Sequence, residues 1–459
     1  MARSGILVSL VYGAATLLVA CHAAGYGPGE QAWGYVDVRE GAHMFYWLYY
    51  TTANVSTYTD RPLVIWLQGG PGASSTGYGN FEELGPLDLD NNERDFTWVK
   101  DVNVLFIDNP VGSGFSYVDS SKYLTTDNKM IADDLVTLMK GFYKKHPEFK
   151  TVPLHIFCES YGGKMAAEFA LELDRAIKKG EIESNLKSVG LGDSWIAPIV
   201  SVYSWAPLLL NMGIVDQDGY EAIMKSAVKT EKAVNENKWS QATQLWGVTE
   251  MVLLQVSKGV DFYNILLPTS AQSTKSQVRL LAKDILETMF FDLLIPGGMH
   301  NTLVRFDLRD NRDDLLEDLM RGEVSKALNI PANVTWGAQS QITFNALSGD
   351  FMKPVVHIVE QLLNETDLDV AVYTGQLDLI CATPATVAWV DSMKWKSSGD
   401  YLTAPRNAMS VNGILEGYVK QTGKFSMYWV NRAGHMVPAD NPAAMDYILR
   451  KMTKYNEDN

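Results

Sequence analysis

Short apolar runs recur along this chain between stretches that carry helical patterning, and that rhythm limits the folds open to it more than any other feature. The runs are Leu63–Leu67, Val104–Ile107, Leu154–Phe157, Val189–Leu191, Val370–Tyr373 and Phe425–Val430. Most are bounded by Pro, Gly, Asn or Asp, as strands buried on both faces of a parallel sheet are. Helical stretches such as Met130–Tyr143 and Lys164–Ile177 lie between them. The alternation predicts an α/β architecture, a mostly parallel central sheet with helices on both faces. Tyr35–Val38 and Met44–Tyr50 flank Glu40-Gly41 and predict an antiparallel hairpin at one sheet edge.

From about Ala197 to Trp336 the rhythm breaks. Gln217–Val234, Gln241–Val256 and Val278–Leu293 read as helices, and few strand signals interrupt them. The region is expected to be a largely helical insertion, a lid over the site. The chain then divides into a leader (1–24), a first core part (25–196), the insertion (197–336) and a second core part (337–459). The leader has Arg3, an apolar run from Ile6 to Val19, and small residues at Ala20, Cys21, Ala23 and Ala24. This is the pattern of a signal peptide. The run is shorter than the roughly 20 residues a membrane-spanning helix needs, so no membrane span is expected.

The compartment sets further expectations. Only Cys158 and Cys381 lie beyond the leader, so the fold does not rest on a disulfide framework; two buried free thiols are the plainer reading and a disulfide between them the alternative. Glycosylation sequons begin at Asn54, Asn333 and Asn364. Together with the leader they predict the secretory pathway, with the mature protein secreted or held in a lysosome-like vesicle. Lys+Arg 39 against Asp+Glu 54 gives a net charge of −15, which disfavours nucleic acid as a partner. The residues leave oligomeric state open, a homodimer included.

The strongest local signal is Phe157-Cys158-Glu159-Ser160-Tyr161-Gly162-Gly163. A strand ends at Phe157 and a helix begins near Tyr161, so Ser160 sits on a tight strand-to-helix turn. Such a turn pushes the hydroxyl clear of the backbone, beside helix N–H groups that favour negative charge. A helix-capping serine is the bland alternative. A hydroxyl needs a base, and the base needs an orienting carboxylate. Of the downstream histidines, His300 lies in the insertion and His357 in a helical apolar pattern, where it is expected to pack. His435 follows the strand Phe425–Val430 in a loop, where α/β sites form. Asp378 likewise follows the strand Val370–Tyr373. The strand Leu63–Leu67 runs into Gln68-Gly69-Gly70-Pro71-Gly72, whose backbone N–H groups, with that of Tyr161, could hold an oxyanion.

Four segments resemble the serine carboxypeptidase family of the α/β-hydrolase fold. They are Trp66–Gly72, Asp108–Tyr117, Glu159–Gly163 and Gly434–Pro438. Gln68, the run Gly79–Glu83 and the run Gly192–Trp195 are most similar to the retinoid-inducible subgroup. The resemblance implies a triad of Ser160, Asp378 and His435, and oxyanion donors at Gly70 and Tyr161. It also implies that Gln68, Gly69 and Glu159 bind the carboxylate of a peptide or protein C-terminus. No metal and no cofactor are implied. Gln68 stands where most relatives have Asn, Ala73 where many have a disulfide Cys, and Cys158 where the elbow usually has Gly. Glu159 carries the sharpest expectation. A carboxyl at hydrogen-bond distance from the substrate's carboxylate must share a proton with it, so binding is expected to favour acid pH. An acyltransferase or esterase on the same triad, and a non-catalytic protective partner retaining the fold, are the competing readings.

Overall fold

A computed structural model describes residues 25–267 and 311–455. The leader, the expected helix Val278–Leu293 and His300 lie outside the described residues. The strands are β1 (Gln31–Arg39), β2 (Ala42–Tyr49), β3 (Leu63–Leu67), β4 (Asn103–Ile107), β5 (Tyr117–Val118), β6 (Pro153–Glu159), β7 (Asn185–Gly192), β8 (Asp369–Gly375), β9 (Asn407–Val411), β10 (Ile414–Thr422) and β11 (Phe425–Val430). They form one sheet in the order β1-β2-β4-β3-β6-β7-β8-β11-β10-β9, with β5 pairing β2 outside that path. The strands from β4 through β11 along this order run parallel. Antiparallel hairpins close both edges. The expected edge hairpin is β1–β2. The second, β9–β10, turns at Asn412 and Gly413, both with positive φ.

The apolar runs work because each parallel strand is covered on both faces. All five residues of β3 are buried. Leu63, Ile65 and Leu67 join one apolar cluster with Ile131 and Leu135 of α1 (Asn128–Lys145) and Met165 and Phe169 of α2 (Gly162–Lys178). Val64 and Trp66 point the other way, into a second cluster with Met445 and Ile448 of the helix Pro442–Thr453. The inserted helices α3 (Pro198–Asn211), α4 (Gln217–Asn235) and α5 (Trp239–Ser257) contribute Trp205, Ile223 and Trp246 to the first cluster. They therefore share a core with the sheet rather than forming one of their own.

The parallel strands end on one edge of the molecule, and the candidate residues follow those ends. Gln68 follows β3, Glu159 and Ser160 close β6, Asp378 comes after β8, and His435 after β11. This is the edge at which open α/β sheets place their sites.

Candidate active site

Ser160 has φ of 62°, in the left-handed region that a non-glycine residue enters only under constraint. Its backbone is held on both sides. Its N–H donates to Gly192 O at 3.2 Å, and Trp195 N–H donates to Ser160 O at 2.9 Å. The two glycines that follow are required by space. A Cβ on Gly162 would stand 2.5 Å from Leu67 O, and one on Gly163 would stand 2.2 Å from Ser194 Oγ. Tyr161, not Ser160, caps α2, and no side chain caps it. The capping alternative for Ser160 is thereby excluded. Cys158 does not crowd the turn, because its thiol is buried and points to Gly190 O at 3.3 Å.

His435 and Asp378 meet as the sequence suggested. His435 Nδ1 lies 2.9 Å from Asp378 Oδ2, and both side chains are buried. Cys381 N–H donates to Asp378 Oδ1 at 3.2 Å. The other ring nitrogen, Nε2, lies 3.9 Å from Oε1 of Glu159, the residue before Ser160. The segment after α5 holds the two loops in place. His435 N–H donates to Tyr263 O at 2.6 Å, Ile265 N–H to Leu377 O at 3.0 Å, and Leu379 N–H to Phe262 O at 3.1 Å. His357 lies on the helix Val356–Glu365 as expected, but it is exposed instead of packed, because Ile358, Val359 and Leu362 take the inner face.

The glycine loop lies against the serine. A Cβ on Gly69 would stand 2.4 Å from Ser160 Cβ and 3.0 Å from its Oγ. Gly70 has φ of 115°, open to glycine but strained for any side chain. Asp108 fixes the far end of this loop. It accepts from Ser74 Oγ at 2.7 Å, Thr76 N–H at 3.0 Å, Thr76 Oγ1 at 2.8 Å and Phe115 N–H at 2.8 Å. Tyr161, as the cap of α2, carries an N–H outside the helical ladder.

Beside the serine sits a buried polar cluster that the sequence reading caught only in part. Gln68 Nε2 donates to Glu83 Oε1 at 2.9 Å and to Glu159 Oε1 at 3.1 Å, while Trp66 Nε1 fixes Gln68 Oε1 at 2.7 Å. The longer amide at position 68 thus bridges two carboxyls. Burial pushes Glu159 well above the ordinary carboxylate range, and Glu83 beside it adds to the rise. Burial raises Glu83 too, with hydrogen bonds from Glu159 and Gln68 pulling it part of the way back. Two buried carboxyls this close do not both ionise, so the pair is expected to hold one proton in common. Glu83 went unrecognised in sequence; it lies on the helical segment Ser75–Leu84, and only the run Gly79–Glu83 pointed near it.

Of the sequon residues, Asn54 and Asn333 are exposed, with nothing packed over them. Asn364 is exposed as well, but its amide bridges to Lys394 O at 3.3 Å and Lys396 N at 3.0 Å. Cys158 and Cys381 are both buried free thiols, as expected.

The family model described as serine carboxypeptidase matches residues 24–455. The mouse retinoid-inducible serine carboxypeptidase is 41% identical over 93% of this chain and 92% of its own length. The human protein of the same name is 43% identical with the same coverage. Serine carboxypeptidase-like 51 of Arabidopsis thaliana is 36% identical, again over 93% and 92%. Among solved structures, Kex1(delta)p, a prohormone-processing carboxypeptidase from Saccharomyces cerevisiae, superposes with a TM-score of 0.75 at 20% identity, covering 92% of this chain and 91% of its own. That likeness bears on the fold.

Proposed function

The chain belongs to the serine carboxypeptidase family and is a serine-type hydrolase that removes C-terminal residues from peptides; from that premise we propose that Ser160, Asp378 and His435 carry out the reaction. Ser160 Oγ attacks the carbonyl carbon of the last peptide bond as His435 Nε2 takes its proton. Asp378 accepts from Nδ1–H, fixing the tautomer and stabilising the imidazolium. The N–H groups of Gly70 and Tyr161 receive the oxyanion. Collapse expels the C-terminal residue, its amine protonated by His435. Water then enters by the same route in reverse and frees the acyl group from Ser160.

The observation that makes this an exopeptidase site is the buried cluster of Gln68, Glu83 and Glu159 against Ser160. A substrate carboxylate can take the Gly69 N–H and, in exchange for contacts now made between Gln68, Glu83 and Glu159, the proton of the glutamate pair. Because that proton is lost as pH rises through the raised range, peptide binding is strongest at acid pH. The test is kcat/KM against pH on blocked dipeptides and on an ester without a free carboxylate. The peptide rate should fall towards neutrality and the ester rate should fall less. Glu159→Gln should flatten the peptide profile. Equal losses on both substrates would refute the role of the carboxyl pair.

The leader, the sequons at Asn54 and Asn333 and the acid preference together support maturation in the secretory pathway, with residues 197–336 as the insertion that borders the site. Among the described residues no helix is long and apolar enough to cross a membrane.

A further inference from the structure

A second carboxyl pair lies behind the triad. Asp193 follows β7 in the run Gly192-Asp193-Ser194-Trp195, which the mechanism above leaves without a role. It is fully buried, and its φ of 35° is left-handed for a residue that carries a side chain. Two bonds hold it there: its N–H donates to Tyr373 O at 2.9 Å, and its Oδ1 accepts from Gly375 N–H at 2.9 Å. Its Oδ2 is buried, and no donor among the described residues reaches it. The carboxyl of Asp378 lies within hydrogen-bond reach of it, and both residues are tied to Gly375, whose N–H donates to Asp193 Oδ1 and whose O accepts from Asp378 N–H at 3.2 Å.

Two ionised carboxylates in contact inside a protein are too costly to persist, so a proton lies between them. Its location follows from the donors. Asp378 already accepts from His435, Cys381 N–H and Ile380 N–H, all of which favour its charged form. Asp193 accepts from a single backbone N–H. The proton therefore sits on Asp193. We propose that Asp193 is a positioning residue of the reaction: as a neutral acid it donates a hydrogen bond to Asp378, which favours the ionised form of that carboxylate and aims it at His435.

Burial alone would leave Asp378 protonated where the enzyme works, and a neutral Asp378 could not stabilise the imidazolium. Burial is the largest influence and holds Asp378 up at about 8; the hydrogen bond from Asp193 is the strongest influence working against it, ahead of those from the Cys381 and Ile380 N–H groups. Burial raises Asp193 well above the ordinary carboxylate range and the charge of Asp378 raises it further, while His435 opposes the rise. The other titratable groups near Asp193 are Glu159 at the end of β6 and Tyr373 on β8, and both are raised by burial. The pair thus keeps its proton through the acid range.

The inference rests on the triad proposed above, and its test separates the two. Asp193→Ala and Asp193→Asn are compared with the unaltered enzyme by ester kcat/KM against pH, by the rate of fluorophosphonate labelling at Ser160, and by thermal melting. Asp193→Ala removes the donor, so its acid limb should move up by about one pH unit, roughly a 10-fold loss of ester rate below that limb. Asp193→Asn donates through Nδ2 at every pH, so it should restore the acid limb and labelling to within about 3-fold, the scale of one neutral hydrogen bond. An Asp193→Asn enzyme as impaired as Asp193→Ala would overturn the proposal, since charge rather than donation would then be what matters. So would an Asp193→Ala profile matching the unaltered enzyme. If Asp193→Ala fails to fold, Asp193→Asn alone decides between donor and charge. If the unaltered enzyme is itself not labelled at Ser160, the triad reading fails first.

Discussion

Lys164→Met should destabilise the protein far more than the loss of one lysine usually does. Lys164 on α2 and Asp350 are an ion pair with side chains 0% and 6% exposed, Nζ 2.6 Å from Oδ2. The same Nζ donates to Asp350 O at 2.6 Å, and Tyr161 OH donates to Asp350 Oδ2 at 2.7 Å. The two partners shift in ways that show how closely attraction and burial balance. Burial holds Lys164 below the usual ammonium range despite Asp350. Burial also works against Asp350, but Lys164 and the Tyr161 hydroxyl keep it below the usual carboxylate range. Removing one partner of such a pair costs about 3–5 kcal/mol when the other charge is left buried; Lys353 Nζ, 3.9 Å from Asp350 Oδ1 and half-exposed, offsets only part of that, which puts the loss at the lower end. Replacing both with neutral groups should recover most of that, and Asp350→Asn leaves an acceptor for Tyr161 OH. We expect Lys164→Met to lose about 3–5 kcal/mol and Lys164→Met/Asp350→Asn to lie within about 2 kcal/mol of the parent. Urea unfolding followed by tryptophan fluorescence measures both, and fluorophosphonate labelling reads the oxyanion side through Tyr161. A single-mutant loss below about 1 kcal/mol, or simple additivity of the two changes, would refute the buried-charge argument.

Three further outcomes follow from the same structure. Gly69→Ala places a Cβ 2.4 Å from Ser160 Cβ and 2.9 Å from Glu159 O, so Ser160 labelling should slow by about 100-fold or more; an unchanged rate would show that the loop does not lie against the serine. Glu83, Glu159 and Asp193 are all raised, so the folded chain keeps protons that the unfolded chain releases near pH ~4. Their contribution to stability is therefore complete below that pH and lost as pH rises through their raised values, and the melting temperature should be higher at pH 5 than at pH 8. Glu159→Gln/Asp193→Asn should shrink that difference, and a higher melting temperature at pH 8 in the parent would contradict the assignment. Burial pushes the Cys158 thiol up to about 12, so an alkylating reagent at neutral pH should modify it only after unfolding, as mass spectrometry of native and denatured protein would show.

What the sequence disclosed was local. Ser160 was legible because a strand end, a small-residue turn and a helix start fit within a few residues, and no other backbone presents a serine in that way. The parallel strands were legible because burial on both faces makes them continuous apolar runs. Asp378 and His435 followed from their places after strands, and the glycine loop from the backbone freedom it needs. The hairpin β9–β10 carried its signal in Asn412-Gly413, a turn pair that suits two positive φ values, and it was there to be read. Glu83, Asp193 and Asp350 carried none. Glu83 meets Glu159 only through the fold, Lys164 and Asp350 are 186 residues apart, and the left-handed turn at Asp193 shows in no composition. His357 was misjudged for a related reason: an apolar helix pattern marks one face, and a polar residue inside the pattern falls on the other.

Each residue of the site whose part in the working pH was legible in the sequence has a buried partner that was not. The carboxyls of Glu83, Glu159, Asp193 and Asp378 crowd around one serine and one imidazole, and two like charges 4 Å apart repel by about 4 kcal/mol even at an effective dielectric of 20. The cluster is tolerable because it divides into two pairs, each holding a proton. The pairs then have opposite tasks. In the proposed mechanism the glutamate pair keeps its proton to accept a substrate that brings its own negative charge, whereas the aspartate pair places its proton on Asp193, which favours the charged form of Asp378. An arginine would bind a C-terminal carboxylate at any pH. A carboxyl pair binds it only while protonated, so substrate capture and release of the cleaved residue, itself a carboxylate, answer to the same proton. The acid preference of this site is therefore a property of both pairs: one sets when substrate binds, and the other keeps the triad competent at the pH where it does.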